Sequence, residues 1–305
     1  MYFRNFGYLN HIHNFKCFLD RLHLKAVVFA FDENAYKYLI DLTKGGSNIY
    51  PALYQIDNSG QSVEFRKGSF QALTLGKFKV VHEVLREGYN VVFSDPDVAI
   101  IRDPMGHFNI PGVDYIHSVN AKCQFTKSWS FAGQTINEGN TGFYFIRSNI
   151  NTIKLYSMFF LASKDAPADI DDQTLFWSFF RHLERSHRHS PGAALRVEPL
   201  STCHSVDPKN RKSPSTLYTC PLDFCKFASG IIGSDRGYDL ATGILARDRK
   251  QLYTNHANYM VGNDQKQRQL DRYGYWLATL DRDRKTWSGE CRPFNPSNGT
   301  GSGIL

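Results

Sequence analysis

Hydrophobic positions along the first 150 residues of this chain alternate between the period of a helix and that of a buried strand. The apolar run at 26–31 is typical of a strand that is covered on both faces. Asp32 follows it and is a residue type that caps helices, which predicts a helix through about Ile40. A preceding helix is predicted from five apolar residues at helical spacing: Leu9, Ile12, Phe15, Leu19 and Leu22.

The same alternation continues further along the chain. A long helix is predicted from Ser69 to Glu87, and Gly88 is suited to its left-handed cap. The chain then enters a predicted strand at 91–94. Further strands are predicted at 114–119, 142–146, 195–200, 243–247 and 252–254, and further helices at 150–163, 171–185 and 264–273.

Helices and strands that alternate in this way indicate an α/β fold with a mixed, mostly parallel sheet flanked by helices. In open sheets of this kind, ligands bind at the edge formed by the carboxyl ends of the strands. Because no convincing linker divides the sequence, we predict one domain over residues 1–285. Gly, Ser, Pro and Asn residues are frequent at 286–305 and predict a flexible tail.

Charge narrows the class of partner only slightly. The formal net charge of +7 and the pI near 9.0 favour an anionic partner, a class that includes nucleotides, sulfated glycans, nucleic acids and membrane surfaces. No apolar run approaches the roughly 18 residues that span a bilayer, and the first residues lack the pattern of a signal peptide. Since the segment before the first predicted helix is short, we expect a truncated first strand and missing upstream sequence.

The six cysteines include no Cys-x-x-Cys pair, which argues against a zinc site. Three of them, Cys203, Cys220 and Cys225, flank a loop rich in Ser, Pro and Lys. Disulfides at this loop would indicate an oxidising compartment, whereas reduced structural thiols are an equally supported interpretation.

Asp95 and Asp97 lie directly after the strand predicted at 91–94, with Pro96 between them. In an extended backbone, residues two apart point to the same side about 6.6 Å apart, so both carboxylates can converge on one cation. Pro96 stiffens that geometry, because its ring fixes its own φ and favours an extended residue before it. Carboxylate oxygens select Mg²⁺, Mn²⁺ or Ca²⁺, and substrate phosphates usually complete such a site. The alternative is an ordinary Asp-Pro turn that closes the strand.

Three further segments carry polar residues at the ends of predicted elements. Asn140 lies just before a predicted strand, Asp172 and Gln173 open a predicted helix, and His256 follows a predicted strand. Each segment also has a purely structural interpretation. The first segment can be an ordinary turn before a strand, and Asp171 in the second can be a helix cap. His256 in the third can be a core histidine whose ring is hydrogen-bonded by backbone groups.

Several familiar motifs are absent from the sequence. It has no Gly-x-Gly-x-x-Gly after the first strand and no Gly-x-x-x-x-Gly-Lys-Ser/Thr, which argues against a dinucleotide-binding Rossmann domain and a P-loop NTPase. It also has no Gly-x-Ser-x-Gly nucleophile elbow.

The ordered set of polar segments resembles the nucleotide-diphospho-sugar transferase domain of plant and algal glycosyltransferases that act on cell walls and glycoproteins. That group includes rhamnogalacturonan-II xylosyltransferases and extensin arabinosyltransferases. The likeness covers nearly all of residues 5–280, with departures at Pro96 and at the truncated first strand. The matching pieces, in chain order, are Asn14-Phe15, Ala30-Phe31-Asp32, Lys77, Gly88 to Asp97, Arg102-Asp103-Pro104, Asn140 to Phe143, Asp172-Gln173 and His256-Ala257-Asn258.

The resemblance implies a GT-A fold, which is a Rossmann-like α/β fold, together with a nucleotide-sugar donor such as a UDP-sugar. It also implies a divalent cation, Mn²⁺ or alternatively Mg²⁺, bound by Asp95, Asp97 and His256. An ion that bridges both phosphates would neutralise the charge that develops on the leaving group. The residues expected to contact the nucleotide-sugar are Asp95, Lys77, Gly262 and Lys266. For Lys266, a solvent-exposed helix lysine is the alternative.

Catalysis in such a domain would transfer the sugar with retention of its anomeric configuration. Asn140, Asp172 and Gln173 would line the side of the site that holds the donor sugar and the acceptor. Asp172 is not assigned as a covalent nucleophile, because the leaving phosphate can accept the acceptor proton on the same face. The expected partners are the nucleotide-sugar and a glycan or glycoprotein acceptor, with no nucleic acid. The resemblance further implies a type II membrane protein facing the Golgi lumen, anchored through upstream sequence.

Two other classes of function compete with this interpretation. A transferase-like domain without activity could serve as a glycan-binding or partner-binding module, and Pro96 and the truncated first strand motivate that alternative. A metal-dependent phosphodiesterase would use the same carboxylates but needs a second acidic cluster about 4 Å from the first metal. The sequence offers no convincing second set.

Overall fold

The structure of the 305-residue chain is a computed structural model. It describes residues 2–4, 9–44, 46–55, 70–119, 139–164, 166–167, 170–189, 195–207, 209, 211–223, 225–229, 252–258, 260, 262–281 and 286–295. Among these residues no helix is long and apolar enough to cross a membrane.

The α-helices of the described residues agree closely with the periodicity of the sequence. Asp32 caps the second helix as predicted, since its Oδ1 accepts a hydrogen bond from the Ala35 amide at 2.8 Å. Gly88 has φ +87°, which confirms the left-handed cap after the third helix. The helices are α1 (Leu9–Leu22), α2 (Glu33–Thr43), α3 (Phe70–Arg86), α4 (Ile150–Ala162), α5 (Asp172–His189) and α6 (Asn263–Arg272).

The strands of the described residues are mostly short, between three and eight residues. They are β1 (Tyr2–Arg4), β2 (Ala26–Ala30), β3 (Ile49–Leu53), β4 (Val91–Ser94), β5 (Val98–Ile100), β6 (Tyr115–Val119), β7 (Gly139–Ile146), β8 (Arg196–Pro199), β9 (Thr216–Pro221), β10 (Phe227–Ser229), β11 (Thr254–His256), β12 (Ala278–Asp281) and β13 (Thr286–Cys291).

Two sheets form the body of the α/β fold. The first has the order β1-β2-β3, and both of its strand pairs are parallel. The second has the order β4-β7-β6-β9-β8, in which β7 runs antiparallel to β4 and β6, while β6, β9 and β8 are parallel. The predicted α/β class with a mixed sheet is therefore confirmed.

Two hydrophobic cores lie on the two faces of β7. Phe143 and Phe145 pack into the core shared with α1, α2 and α6, whereas Tyr144 and Ile146 pack into the core shared with α3, α4 and α5. This alternation follows from the two-residue period of a strand. Every residue of β7 is buried, so its amino-terminal end is held rigidly where it reaches the edge of the sheet.

A third, smaller sheet contains the predicted site residue His256, and its strands were only partly predicted. Its order is β10-β11-β5, with β11 antiparallel to β5. The strand predicted at 252–254 is wrong in position, because β11 begins where that prediction ended and includes His256. The strand predicted at 243–247 lies outside the described residues.

The flexible tail predicted at 286–305 is wrong for its first residues. β13 pairs with β12, and Cys291 forms a disulfide with Cys17 of α1 across 274 positions of sequence. Closing a loop of that length stabilises a fold by about 5 kcal/mol in the chain-entropy account. Asn14 joins the same region to α1, since its side chain accepts from the Leu277 amide at 2.5 Å and donates to the Tyr275 carbonyl at 3.0 Å.

The cysteines near the Ser, Pro and Lys loop are oxidised. Cys203 and Cys220 form a disulfide, and Cys225 is also disulfide-bonded. Of the two interpretations left open by the sequence, disulfides are therefore the one that the structure adopts.

Candidate functional site

The segment from Asp95 to Val98 is a turn between β4 and β5. The Val98 amide donates to the Asp95 carbonyl at 3.2 Å, which is the hydrogen bond of a four-residue β-turn. The extended segment predicted from Asp95 through Asp97 is therefore wrong, and the Asp-Pro turn that was its alternative is present. Pro96 occupies the second position of the turn, where proline is favoured because that position needs φ near −65° and no amide donor.

This turn brings Asp95 and Asp97 together with His256. One ligand atom of each residue lies within 4.8 Å of the other two, and Nε2 of His256 lies 3.5 Å from Oδ1 of Asp97. The register of β5 and β11 explains the approach, since His256 pairs with Val98 and the Ala257 amide donates to the Asp97 carbonyl at 3.0 Å. Asp97 and His256 are buried.

Gly142 leaves the space that this cluster occupies. A Cβ atom at Gly142 would collide with Cε1 of His256 and would lie 2.7 Å from Oδ2 of Asp95, closer than carbon and oxygen normally approach. The Gly142 carbonyl also accepts a hydrogen bond from the Asp95 amide at 2.6 Å. The glycine of the predicted pre-strand turn is thus required by close packing against two of the three residues, a role that its sequence position alone did not reveal.

Lys266 lies against the same cluster. Its Nζ is 2.6 Å from Oδ2 of Asp97, and the two side chains are 14% and 2% exposed. The lysine lies in the first turn of α6, which starts after Gly262 at φ +88°. The interpretation of Lys266 as a solvent-exposed helix lysine is therefore wrong, while Gly262 itself is exposed at the start of that helix.

A second buried group lies beside the cluster, at the start of α5. Lys77 of α3 forms an ion pair with Oδ2 of Asp172, and the same oxygen accepts a hydrogen bond from the Thr141 hydroxyl at 2.9 Å. Lys77 also donates to Thr141 at 3.2 Å. The structure thus places Lys77 directly against Asp172, and Thr141, to which the sequence assigned no role, connects the two.

The remaining predicted residues complete this polar edge. Asn140 donates to Oε1 of Gln173 at 3.0 Å and accepts from the Gly142 amide at 2.7 Å, so it orients Gln173. It lies within β7 and not in the turn predicted before that strand. Asp171 caps α5 through the Thr174 amide at 2.8 Å, which confirms its structural interpretation. All the predicted site residues except Gly262 therefore contact at least one other residue of this edge.

His117 forms part of the buried wall behind the edge. Burial lowers its pKa to about 4, which keeps the ring neutral near pH 7. The ring stacks edge-on against Trp177, with centroids 4.6 Å apart. Gly139 admits both rings, since a Cβ atom there would collide with Trp177 and lie 2.7 Å from Nδ1 of His117. His117 therefore packs as a neutral ring against Trp177 and does not act as a titrating group of the site.

The donor set at Asp95, Asp97 and His256 fits a divalent cation. Two carboxylates supply hard oxygen ligands, and one imidazole nitrogen completes three protein ligands, which leaves positions for phosphate oxygens. Nδ1 of His256 is buried and has no hydrogen-bond partner within the described part of the chain. The described residues contain one such group of three or more metal-ligating side chains.

The structure is an α/β domain in which two carboxylates, a histidine and a lysine lie together at the end of a sheet. A sequence model of the nucleotide-diphospho-sugar transferase family matches residues 21–270. The chain belongs to this family.

Two curated relatives extend the comparison. The chain is 26% identical, over 91% of its own length and 42% of the relative, to the UDP-galactose:fucoside alpha-3-galactosyltransferase of Dictyostelium discoideum. It is 34% identical, over 34% of its own length and 28% of the relative, to an uncharacterised protein of Arabidopsis thaliana. The chain thus spans less than half the length of both relatives.

Solved structures share the fold. The apo structure of the bifunctional glycosyltransferase WbbM matches 88% of this chain and 48% of its own chain at 11% identity, with a TM-score of 0.51. The structural neighbours are GT-A glycosyltransferases, and the predicted GT-A fold is confirmed.

Proposed function

We propose that the protein is a metal-dependent, retaining glycosyltransferase that moves a sugar from a UDP-sugar to a hydroxyl of a glycan or glycoprotein. The observation that carries this proposal is the convergence of Asp95, Asp97 and His256 within 4.8 Å at the sheet edge of a nucleotide-diphospho-sugar transferase. Two carboxylates and an imidazole are side chains that bind divalent cations in proteins, which favours a ligand-binding role over a purely structural one.

Asp95, Asp97 and His256 would hold the cation, with Mn²⁺ preferred over Mg²⁺. A cation bound there supplies Lewis-acid stabilisation of the negative charge that develops on the diphosphate. Lys266 approaches Asp97 from α6 and would add a second positive charge at the diphosphate. Because both charges lie in a largely buried setting, their effect on a developing anion exceeds that of the same charges in water.

Asp172, Gln173 and Asn140 would face the donor sugar and the acceptor. Lys77 and Thr141 hold one oxygen of Asp172, which leaves its other oxygen available to accept a hydrogen bond from a sugar hydroxyl. Asn140 orients the Gln173 amide in the same way. Since Asp172 is engaged with a lysine, we assign it to substrate orientation, and the leaving phosphate takes the acceptor proton in the retaining reaction.

The relative from Dictyostelium discoideum suggests where to look for substrates. Its name states UDP-galactose as donor, a fucoside as acceptor and an α linkage. We therefore propose a UDP-hexose or UDP-pentose donor, with UDP-galactose the first to test and UDP-xylose and UDP-arabinose next. The disulfides fit an oxidising compartment, and we propose the Golgi lumen, with cell-wall glycans or glycoproteins as acceptors.

The competing functions have less support. Pro96, which motivated an inactive binding module, fits the turn between β4 and β5 and preserves the approach of Asp95 and Asp97. A phosphodiesterase with two metals needs a second acidic cluster, and the described residues provide one cluster only. Neither alternative has an observation of its own in its favour.

A donor panel tests the proposal. The purified protein is incubated with each of the three UDP-sugars, with Mn²⁺ or with a chelator, and release of UDP is measured. We expect slow hydrolysis of at least one donor with Mn²⁺ and none with the chelator. Absence of UDP release and of calorimetric binding for every donor, or equal release with and without Mn²⁺, would contradict the proposal.

A further inference from the structure

Asp97 presents its two carboxylate oxygens to two different partners. Oδ1 faces His256, whose Nε2 lies 3.5 Å away, and Oδ2 is paired with Nζ of Lys266 at 2.6 Å. The lysine and the aspartate are separated by 169 positions of sequence, so the pair is a tertiary contact between α6 and the turn after β4. A positive side chain thus lies directly against one of the two carboxylates that would bind the cation.

We propose that Lys266 couples cation binding to nucleotide binding: it neutralises Asp97 in the free protein, weakens binding of a lone divalent cation, and turns to the diphosphate once the nucleotide enters. This inference rests on the proposed function, because it assumes that cation and diphosphate share the site. It goes further because it assigns Lys266 two opposite effects: the lysine weakens binding of the cation alone and strengthens binding of the nucleotide.

The charges at the site support this coupling. The charges of Asp95, Asp97 and Lys266 sum to one net negative charge. A divalent cation that binds alone therefore makes the net charge of the cluster positive. Like charges a few ångströms apart in a buried setting repel strongly. A diphosphate brings at least two negative charges and removes that excess. The cation and the nucleotide should therefore bind well only together.

Hydrogen bonds with α1 hold α6 in place, so Lys266 can change partner without movement of the helix. Nε2 of His11 lies 3.3 Å from the Asn263 carbonyl, and Nδ2 of Asn10 donates to Oε1 of Gln267 at 3.0 Å, so α1 holds the amino-terminal half of α6. The lysine side chain is partly exposed and has four rotatable carbon bonds, so its ammonium can swing while the backbone stays fixed.

The test is a titration of Mn²⁺ followed by electron paramagnetic resonance, in wild type and in Lys266→Met, with and without saturating UDP. We expect Lys266→Met to bind Mn²⁺ alone about tenfold more tightly, because a repelling charge is removed while side-chain length is kept. With UDP present, its Mn²⁺ affinity should not exceed that of wild type. The factor by which UDP tightens Mn²⁺ binding should thus fall at least tenfold.

Three further variants test whether the effect comes from the positive charge at position 266. Lys212→Met makes the same charge change at the exposed pair with Glu198 and should leave both affinities unchanged. Lys266→Arg keeps the charge and should keep the wild-type coupling. Lys266→Gln removes the charge but retains a donor for Asp97, and it provides the same comparison if Lys266→Met does not fold.

The outcomes separate this inference from the proposed function. If Mn²⁺ binds wild type, Lys266→Met and Lys266→Gln with the same affinity and the same response to UDP, the coupling role is overturned while the transferase proposal stands. If Mn²⁺ binds none of them, with or without UDP, both fail. Tighter Mn²⁺ binding by the neutral variants, together with reduced coupling, supports the inference.

Discussion

Two buried aspartates at opposite ends of the five-stranded sheet have opposite surroundings. Asp114, just before β6, accepts hydrogen bonds from the Tyr218 amide at 2.9 Å, from Asn149 at 2.8 Å and from Arg211 at 2.6 Å. Asp97, after the far end of β4, lies beside Asp95 and His256 and has one lysine close to one of its oxygens. The first carboxylate is surrounded by donors, whereas the second shares its space with another carboxylate.

The difference is between a carboxylate held by several hydrogen bonds and a charged partner and one that we propose binds a ligand. At Asp114, burial raises the pKa, while the hydrogen bonds and the Arg211 charge act in the opposite direction and favour the ionised form. At the other edge, two carboxylates about 4 Å apart would repel by roughly 4 kcal/mol at an effective dielectric near 20. Lys266 offsets part of that repulsion through its pair with Asp97, and in the proposed function a bound cation offsets the rest.

The largest expected effect is on activity, through Asp97→Asn. We expect donor hydrolysis with Mn²⁺ to fall about a thousandfold, since loss of a metal ligand removes several kcal/mol of transition-state stabilisation. Stability should change by less than about 1 kcal/mol, because relief of repulsion offsets loss of the pair with Lys266. Hydrolysis assays and thermal unfolding measure the two quantities. Asp223→Asn, at an exposed pair with Lys226, is the matched control and should leave both unchanged.

Asp114→Asn should produce the reverse pattern. It leaves the charge of Arg211 without its partner carboxylate in a partly buried position, and we expect the free energy of unfolding to fall by about 3 kcal/mol. Hydrolysis per folded molecule should stay at the wild-type value, because Asp114 lies at the edge away from the cluster. Chemical denaturation combined with an assay below the unfolding transition checks both. A thousandfold loss of activity with full stability would break the comparison.

A smaller effect is expected for Gly142→Ala, which tests how tightly the cluster is packed. The added methyl would displace His256 or Asp95, and we expect Mn²⁺ affinity in the presence of UDP to fall about tenfold. Gly106→Ala is the control, since a Cβ atom there meets nothing within 4 Å. Wild-type affinity in Gly142→Ala would show that the cluster can relax and that its geometry is less constrained than we infer.

The sequence predicted the elements that have a strong period of their own. The apolar spacing of α1 and the cap signals at Asp32 and Gly88 are local, so each could be recognised within one stretch of chain. Strands β5 and β10 have three residues each and owe their existence to pairing with β11. Their partners are distant in sequence, and a three-residue pattern alone does not distinguish a strand from a loop.

The site shows the same division between local and distant information. Asp95 and Asp97 could be singled out because they are neighbours after a strand, although the turn that joins them was only the alternative to an extended segment. The ion pair of Lys266 with Asp97 depends on how α6 docks, and the space provided by Gly142 depends on the register of β5 and β11. Only the assembled fold contains those distances.

The most direct test of the central claim is calorimetric titration of UDP into the wild-type protein with Mn²⁺ and with a chelator. If Asp95, Asp97 and His256 hold a cation that binds the diphosphate, UDP should bind with Mn²⁺ and at least about a hundredfold more weakly without it. Equal binding of UDP under both conditions, or no binding under either, would contradict the account.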